Sequence, residues 1–179
     1  MSFLINSYRY VIAQESFDSY SYTNDNATSS YTSVFSTRDA IGIRVNTGGA
    51  LVGVAPTAVT WKIYKQQDPT GGNIECRIYT SVPETGRGTL QETSSTVPSI
   101  ESLSDGEIFT YTFSGNYSLQ ADDIICLFNT DTSGSSGSNY ISYYYNSSSA
   151  DSDNFTVCEY GGLAWEYPAD YSTYLQVVY

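Results

Sequence analysis

The chain has 179 residues, 18 of them Tyr and 14 Gly, with no histidine. Its 7 Lys plus Arg stand against 19 Asp plus Glu, a net charge of −12, which leaves no basic stripe to displace counterions and excludes nucleic acid as an expected partner. No run of about 18 apolar residues occurs, so no membrane span is expected, and the length suits one domain with its own core.

The N-terminus, "MSFLINSYRYVIAQ", lacks the basic opening and continuous apolar centre of a secretory signal. Residues 1–38 contain "YRYVIA" and then the Ser-rich "FDSYSYTNDNATSSYTSVFST", which reads as an N-terminal arm or edge element rather than core. From Asp39 the pattern tightens. "AIGIRVN" and "GALVGVA" flank a Thr47-Gly48-Gly49 turn, and "AVTWKIYK" follows Pro56.

Trp61 and Ile63 share one face of the next strand, with Lys62 and Tyr64 on the other. After Asp68-Pro69-Thr70-Gly71-Gly72, Ile74, Cys76 and Ile78 alternate with Glu75, Arg77 and Tyr79. Proline pre-sets φ and glycine permits positive φ, so residues 61–80 are expected to form a hairpin. Trp61 is expected in the core. Residues 81–105 read as a long polar connection with a short strand at "LQET".

Further on, Phe109, Tyr111 and Phe113 share a face, and Ile124 to Phe128 is apolar on both faces, as a central strand should be. "DTSGSSGSN" reads as a flexible surface connection. "SNYISYYYN", "DNFTVCEY" and "TYLQVVY" complete nine or ten short strands with no helical periodicity. The expected class is all-β, an antiparallel sandwich.

"TWKIYK", "DPTGG", "IECRIYT", "FTYTFSGNYSLQADDIICLF" and "NYISYYY", followed by a lone Trp165, resemble the jelly-roll "choice-of-anchor" domains of surface proteins and of phage and archaeal virus structural proteins. The resemblance covers residues 39–179. It implies a jelly-roll β-sandwich and a virion or extracellular setting, and it carries over no catalytic residue. Asp122 and Asp123 depart from the pattern, which more often has a glycine-containing turn there.

Chemistry is sparse. Without histidine no Ser-His or Cys-His pair exists, and Lys62 and Lys65 lie in a strand with no nucleophile elbow. Carboxylates come in pairs (Asp105 with Glu107, Asp122 with Asp123, Asp151 with Asp153, Glu159 with Glu166), the minimum a glycosidase requires, but acidic residues flanking strands of an acidic protein are first of all solvated turns. No enzyme is expected. Cys76, Cys126 and Cys158 form no CxxC pair and sit in strand-like runs, so neither a disulfide framework nor a zinc site is expected. No cofactor is expected, although "SSADSDN" and "LQADD" offer hard oxygen donors to a structural calcium. The sequons at Asn26, Asn116, Asn146 and Asn154 are frequent by chance in so Ser/Thr-rich a chain.

The functional hint lies in the aromatic C-terminal third. Tyr140 and Tyr144 fall on one face of their strand and Tyr143 and Tyr145 on the other, so at least one tyrosine row is left for solvent or a partner. With Tyr160, Trp165 and Tyr167 they form the candidate binding surface. Two roles follow: a structural subunit contacting copies of itself or a capsid, tail or filament lattice, or a carbohydrate-binding module or adhesin in which Tyr160, Trp165 and Tyr167 stack on sugar rings.

Overall fold

The computed structural model describes residues 20–22, 29–30, 39–80, 86–136, 138–146, 154–167 and 172–179. Their strands are β1 (Tyr20–Tyr22), β2 (Ser29–Ser30), β3 (Ala40–Val45), β4 (Ala58–Gln66), β5 (Ile74–Tyr79), β6 (Leu90–Thr93), β7 (Ile108–Thr112), β8 (Ile124–Asn129), β9 (Tyr140–Asn146), β10 (Phe155–Tyr160), β11 (Trp165–Glu166), β12 (Ser172–Thr173) and β13 (Leu175–Val178). Every pairing is antiparallel. One sheet has six strands in the order β11-β10-β3-β8-β5-β6, and the other has seven, β1-β13-β4-β9-β12 with β2 beside β9 and β7 beside β4. The chain is an all-β antiparallel sandwich, as its alternating runs require.

Alternation explains the core. Ile41, Ile43 and Val45 of β3 and Ile125 and Leu127 of β8 face Val59, Trp61 and Ile63 of β4, and all are buried. β8 is buried along its whole length, because its outward residues Ile124, Cys126 and Phe128 enter a second cluster on the far side of its sheet. Trp61 lies in the core as its apolar neighbours demand, 5.4 Å from the ring of Tyr143. Its indole N–H has no oxygen acceptor among the described residues, and it lies beside the sulfur of Cys76, a weak acceptor.

The expected hairpin over residues 61–80 is not what forms. β4 pairs with β7, β9 and β13, whereas β5 pairs with β6 and β8, so the Asp68 to Gly72 turn carries the chain from one sheet to the other. The alternation was real, but the two apolar faces meet across the sandwich instead of lying side by side. The turn is tight enough to need its glycines: Gly72 has φ +75°, and a Cβ there would stand 2.4 Å from Asn129 Oδ1. Across it, Thr70 and Gly134 form a bridge, and Asp131 Oδ1 accepts from Ser133 N at 2.9 Å, so the expected flexible connection is tied to the sandwich. "GALVGVA" forms turns rather than a strand partner, with Gly53 N donating to Leu119 O and Leu51 buried.

The arm is described only at β1 and β2, which add to β13 and β9. β4 changes partner along its length, with β13 opposite Ala58 to Trp61 and β9 opposite Ile63 to Gln66. The glycine turn missing from the "ADD" segment is replaced by Asp122 itself, which adopts φ 69°, a conformation Asp tolerates better than most residues. Its neighbour Asp123 accepts from Gln120 N at 2.7 Å and from the Tyr117 hydroxyl at 2.8 Å, closing the turn.

Tyr143 and Tyr144 offer a direct test of the register. Tyr143→Ala is expected to lower unfolding free energy by about 3–5 kcal/mol, since it opens a large cavity, while Tyr144→Ala costs about 1 kcal/mol; urea unfolding followed by far-UV circular dichroism measures both.

Candidate functional site

The outer face of the seven-stranded sheet carries an aromatic row. Tyr64 lies between Tyr140, at a centroid distance of 6.1 Å and 39°, and Tyr144, at 5.5 Å and 81°. Lys62 Nζ sits 4.6 Å above the Tyr144 ring, a favourable cation–π geometry. The hydroxyls are committed as well: Tyr144 donates to Asp105 Oδ1 at 3.1 Å, and Tyr64 donates to Gln66. Asp105 Oδ1 also takes the Lys65 amide at 3.1 Å. Burial, and then the bond to Asp105, raise the Tyr144 phenol above its ordinary range. Tyr64 was legible as the outward neighbour of Trp61 and yet was not counted among the candidates.

The six-stranded sheet is unusual on its outer face. Ala40, Tyr79, Ile124, Cys126, Phe128, Cys158, Tyr160 and Trp165 form a buried cluster there. Arginines cover it: Arg77 lies 3.5 Å over Phe128, and Arg87 lies 5.0 Å over Phe128 and 4.7 Å over Tyr160. Each is held in place, Arg77 by Glu75 at 2.6 Å and Arg87 by Asp39. Guanidinium planes stack on aromatic faces while their edges keep carboxylate partners, so an apolar sheet face is shielded without adding net charge. Gly42 makes room beneath it. It lies in register between Cys126 and Cys158, and a Cβ there would come within 2.1 Å of Ile125 O.

The candidate residues therefore separate. Tyr143 is a core residue whose hydroxyl reaches Gly42 O on the opposite sheet at 3.4 Å, not part of a surface. Tyr160 and Trp165 are also buried, because each closes the outer cluster: their rings meet edge to face at 5.4 Å, and Trp165 Nε1 donates to Arg87 O at 3.0 Å. Trp165 is only 8% exposed. Tyr140 and Tyr144 stay half-buried on the other sheet, and Tyr167, 43% exposed, stacks under Arg44 at 4.4 Å. The Tyr145 side chain lies outside the described residues. The six candidates whose side chains are described thus do not converge on one surface.

Several of the paired carboxylates hold backbone amides. Asp105 ties the Lys65 amide of β4, Asp123 closes its turn on Gln120 N, and Glu107 Oε2 accepts from Ser104 N at 2.8 Å, whereas Asp122 faces the Arg44 side chain at 3.8 Å. Glu159 and Glu166 are cross-strand neighbours in register. Asp151 and Asp153, with the rest of "SSADSDN" except Asn154, lie outside the described residues. Among the described residues no group of three or more His, Cys, Asp or Glu is placed to hold a metal ion.

Among the described residues the exposed large apolar side chains are Tyr167, Val52 and Val97 in loops, and three more at strand edges or a hairpin tip. Leu163, at the tip of the β10–β11 hairpin, is 83% exposed, Ile108 on β7 is 56% and Leu90 on β6 is 46% exposed. β6 and β7 end their respective sheets on the same flank, where Ser95 N donates to Thr112 O at 2.8 Å and Ser114 N to Glu92 Oε1 at 2.6 Å. Comparison with protein-family models, curated proteins and solved structures returns no match.

Burial raises all three thiols, Cys76 to about 12, and burial with the Asp123 bond raises the Tyr117 phenol to about 12. Each group folds in its neutral form, so its contribution to stability is complete below its ordinary value, 9.0 for Cys76 and 10.0 for Tyr117, and fades as pH climbs toward about 12. Chemical denaturation at pH 8, 10 and 11 is expected to show stability falling across that window, and Ellman's reagent is expected to label no thiol at pH 8 until the protein is unfolded.

Proposed function

We propose that the chain is a non-enzymatic structural subunit of a virion or extracellular surface assembly, working through protein–protein contacts with copies of itself or with a capsid, tail or filament lattice. The observation that carries this reading is the distribution of apolar surface. Of the candidate aromatics with described side chains, Tyr143, Tyr160 and Trp165 are buried and Tyr140, Tyr144 and Tyr167 are engaged by neighbours, while Ile108, Leu90 and Leu163 stand exposed on strand edges and a hairpin tip. Isolated exposed apolar residues are ordinary on any protein, but edge strands bearing them are the surfaces that proteins either protect or use for pairing.

Sugar stacking finds less support. A lectin site needs an open aromatic platform with polar groups beside it, and Trp165 is covered while Tyr64, Tyr140 and Tyr144 are tilted by 39° and 81° with two of their hydroxyls already bonded. Catalysis also lacks support, since Asp105 holds the Lys65 amide of β4 and Glu107 and Asp123 hold backbone amides in turns.

Light scattering and negative-stain microscopy of the full chain test the proposal. A defined oligomer or ordered polymer is the expected outcome. A monomer at every concentration that binds a glycan on an array would replace this reading with the carbohydrate-binding one.

A further inference from the structure

We propose that β7 is a self-pairing edge, and that two copies of the chain join β7 to β7, antiparallel about a twofold axis at Phe109, into one continuous sheet. The inference rests on the structural-subunit reading and names the contact it would use.

The direction of each β7 backbone group follows from its bonds to β4. Phe113 N donates to Thr57 O at 2.8 Å and Ile63 N donates to Glu107 O at 2.7 Å, in step with the pairing of Phe109 with Trp61 and Tyr111 with Val59. Odd-numbered residues thus turn their N–H and C=O toward β4, and Ile108, Thr110 and Thr112 turn theirs away. The outward carbonyl of Thr112 is taken by Ser95. The outward groups of Ile108 and Thr110 have no partner among the described residues.

Among the described residues the other terminal strands are short, which limits pairing: β1 has three residues, and β2, β11 and β12 have two each. β6 is four residues long, carries Glu92 and meets β5 with a register shift at Ile78/Tyr79, devices that discourage pairing. β7 reads Ile-Phe-Thr-Tyr-Thr, with no proline, glycine or charge, and its outward Ile108 is 56% exposed.

A second copy fits this edge better than an arbitrary strand does. Two molecules of net charge −12 repel each other except where charge is absent, and Ile108 to Phe113 carries none. With the axis at Phe109, Ile108 lies opposite Thr110 of the second copy, and both such pairs exchange N–H···O=C bonds in each direction. Phe109, already packed against the core from the edge, meets Phe109 of the second copy in the same inner layer. Glu107 falls opposite Tyr111 and Asp105 opposite Phe113, so no acidic residue faces its own copy.

Sedimentation velocity of the full chain across a concentration series, at low salt and at ~0.5 M NaCl, tests this directly. A monomer–dimer equilibrium is expected, and it shifts toward dimer as salt screens the repulsion. Ile108→Lys places a charge on the edge, and Thr110→Pro removes an outward N–H while leaving the β7–β4 backbone bonds in place, at the cost of the Thr110 hydroxyl's 2.9 Å bond to Thr60. Each is expected to weaken dimerisation about tenfold or more with an unchanged circular dichroism spectrum. Should one variant fail to fold, the other still decides. A mixture of Ile108→Cys and Thr110→Cys chains is expected to cross-link as a heterodimer. A wild type that stays monomeric, or variants that dimerise as well as it does, would overturn the proposal. Assemblies that persist unchanged in Ile108→Lys would refute the β7 contact while leaving the structural-subunit reading in place.

Discussion

The contact on which the rest depends is that of Trp61 with Tyr143. These two rings, 5.4 Å apart, lie where β4 gives up β13 as its partner and takes β9 instead. Both are buried between the sheets, and the Tyr143 hydroxyl reaches across to Gly42 on the facing sheet. Because strand side chains alternate with a period of two, fixing Trp61 and Tyr143 inward fixes Tyr64, Tyr140 and Tyr144 outward. The same register sets the direction of every β4 backbone group, and through it the parity of β7.

The outer cluster is the second consequence of alternation. β8 is apolar on both faces, with the small Ala40 and Gly42 of β3 beside it, so the six-stranded sheet needs cover on its outside as well. The cover comes from Trp165, Tyr160 and the guanidinium groups of Arg77 and Arg87 rather than from helices. That arrangement consumes the aromatics a binding site would use, and it occupies Arg77 and Arg87 with Glu75 and Asp39. Surface pairs of this kind contribute little stability; their value here is in packing hydrocarbon and guanidinium planes over Phe128 and Tyr160. Carboxylates outnumber cations 19 to 7 in the chain, which is why the contact proposed between copies lies on an uncharged edge.

Most of the layer structure was legible in the sequence, because period-two alternation records which residues face inward. The buried Trp61, the central β8, the "LQET" strand and the shared face of Phe109, Tyr111 and Phe113 all follow from it. Partner choice was not legible. "WKIYKQQDPTGGNIECRIYT" reads the same whether its strands pair side by side or face each other across a core, since both arrangements bury the same residues and need the same turn chemistry. The candidate surface failed for a related reason: Tyr160 and Trp165 point away from the inner core as expected, but an outward face is exposed only if nothing folds over it, and the covering residues Arg77 and Arg87 belong to distant segments.

Residue-resolved amide exchange by NMR at two protein concentrations addresses the parity of β7 most directly. The amides of Phe109 and Tyr111 should be protected at both concentrations by their bonds to β4, whereas those of Ile108 and Thr110 should exchange quickly in dilute solution and slow markedly on concentration. Equal protection of all four in dilute solution, or no gain at Ile108 and Thr110 when the protein is concentrated, would contradict the account.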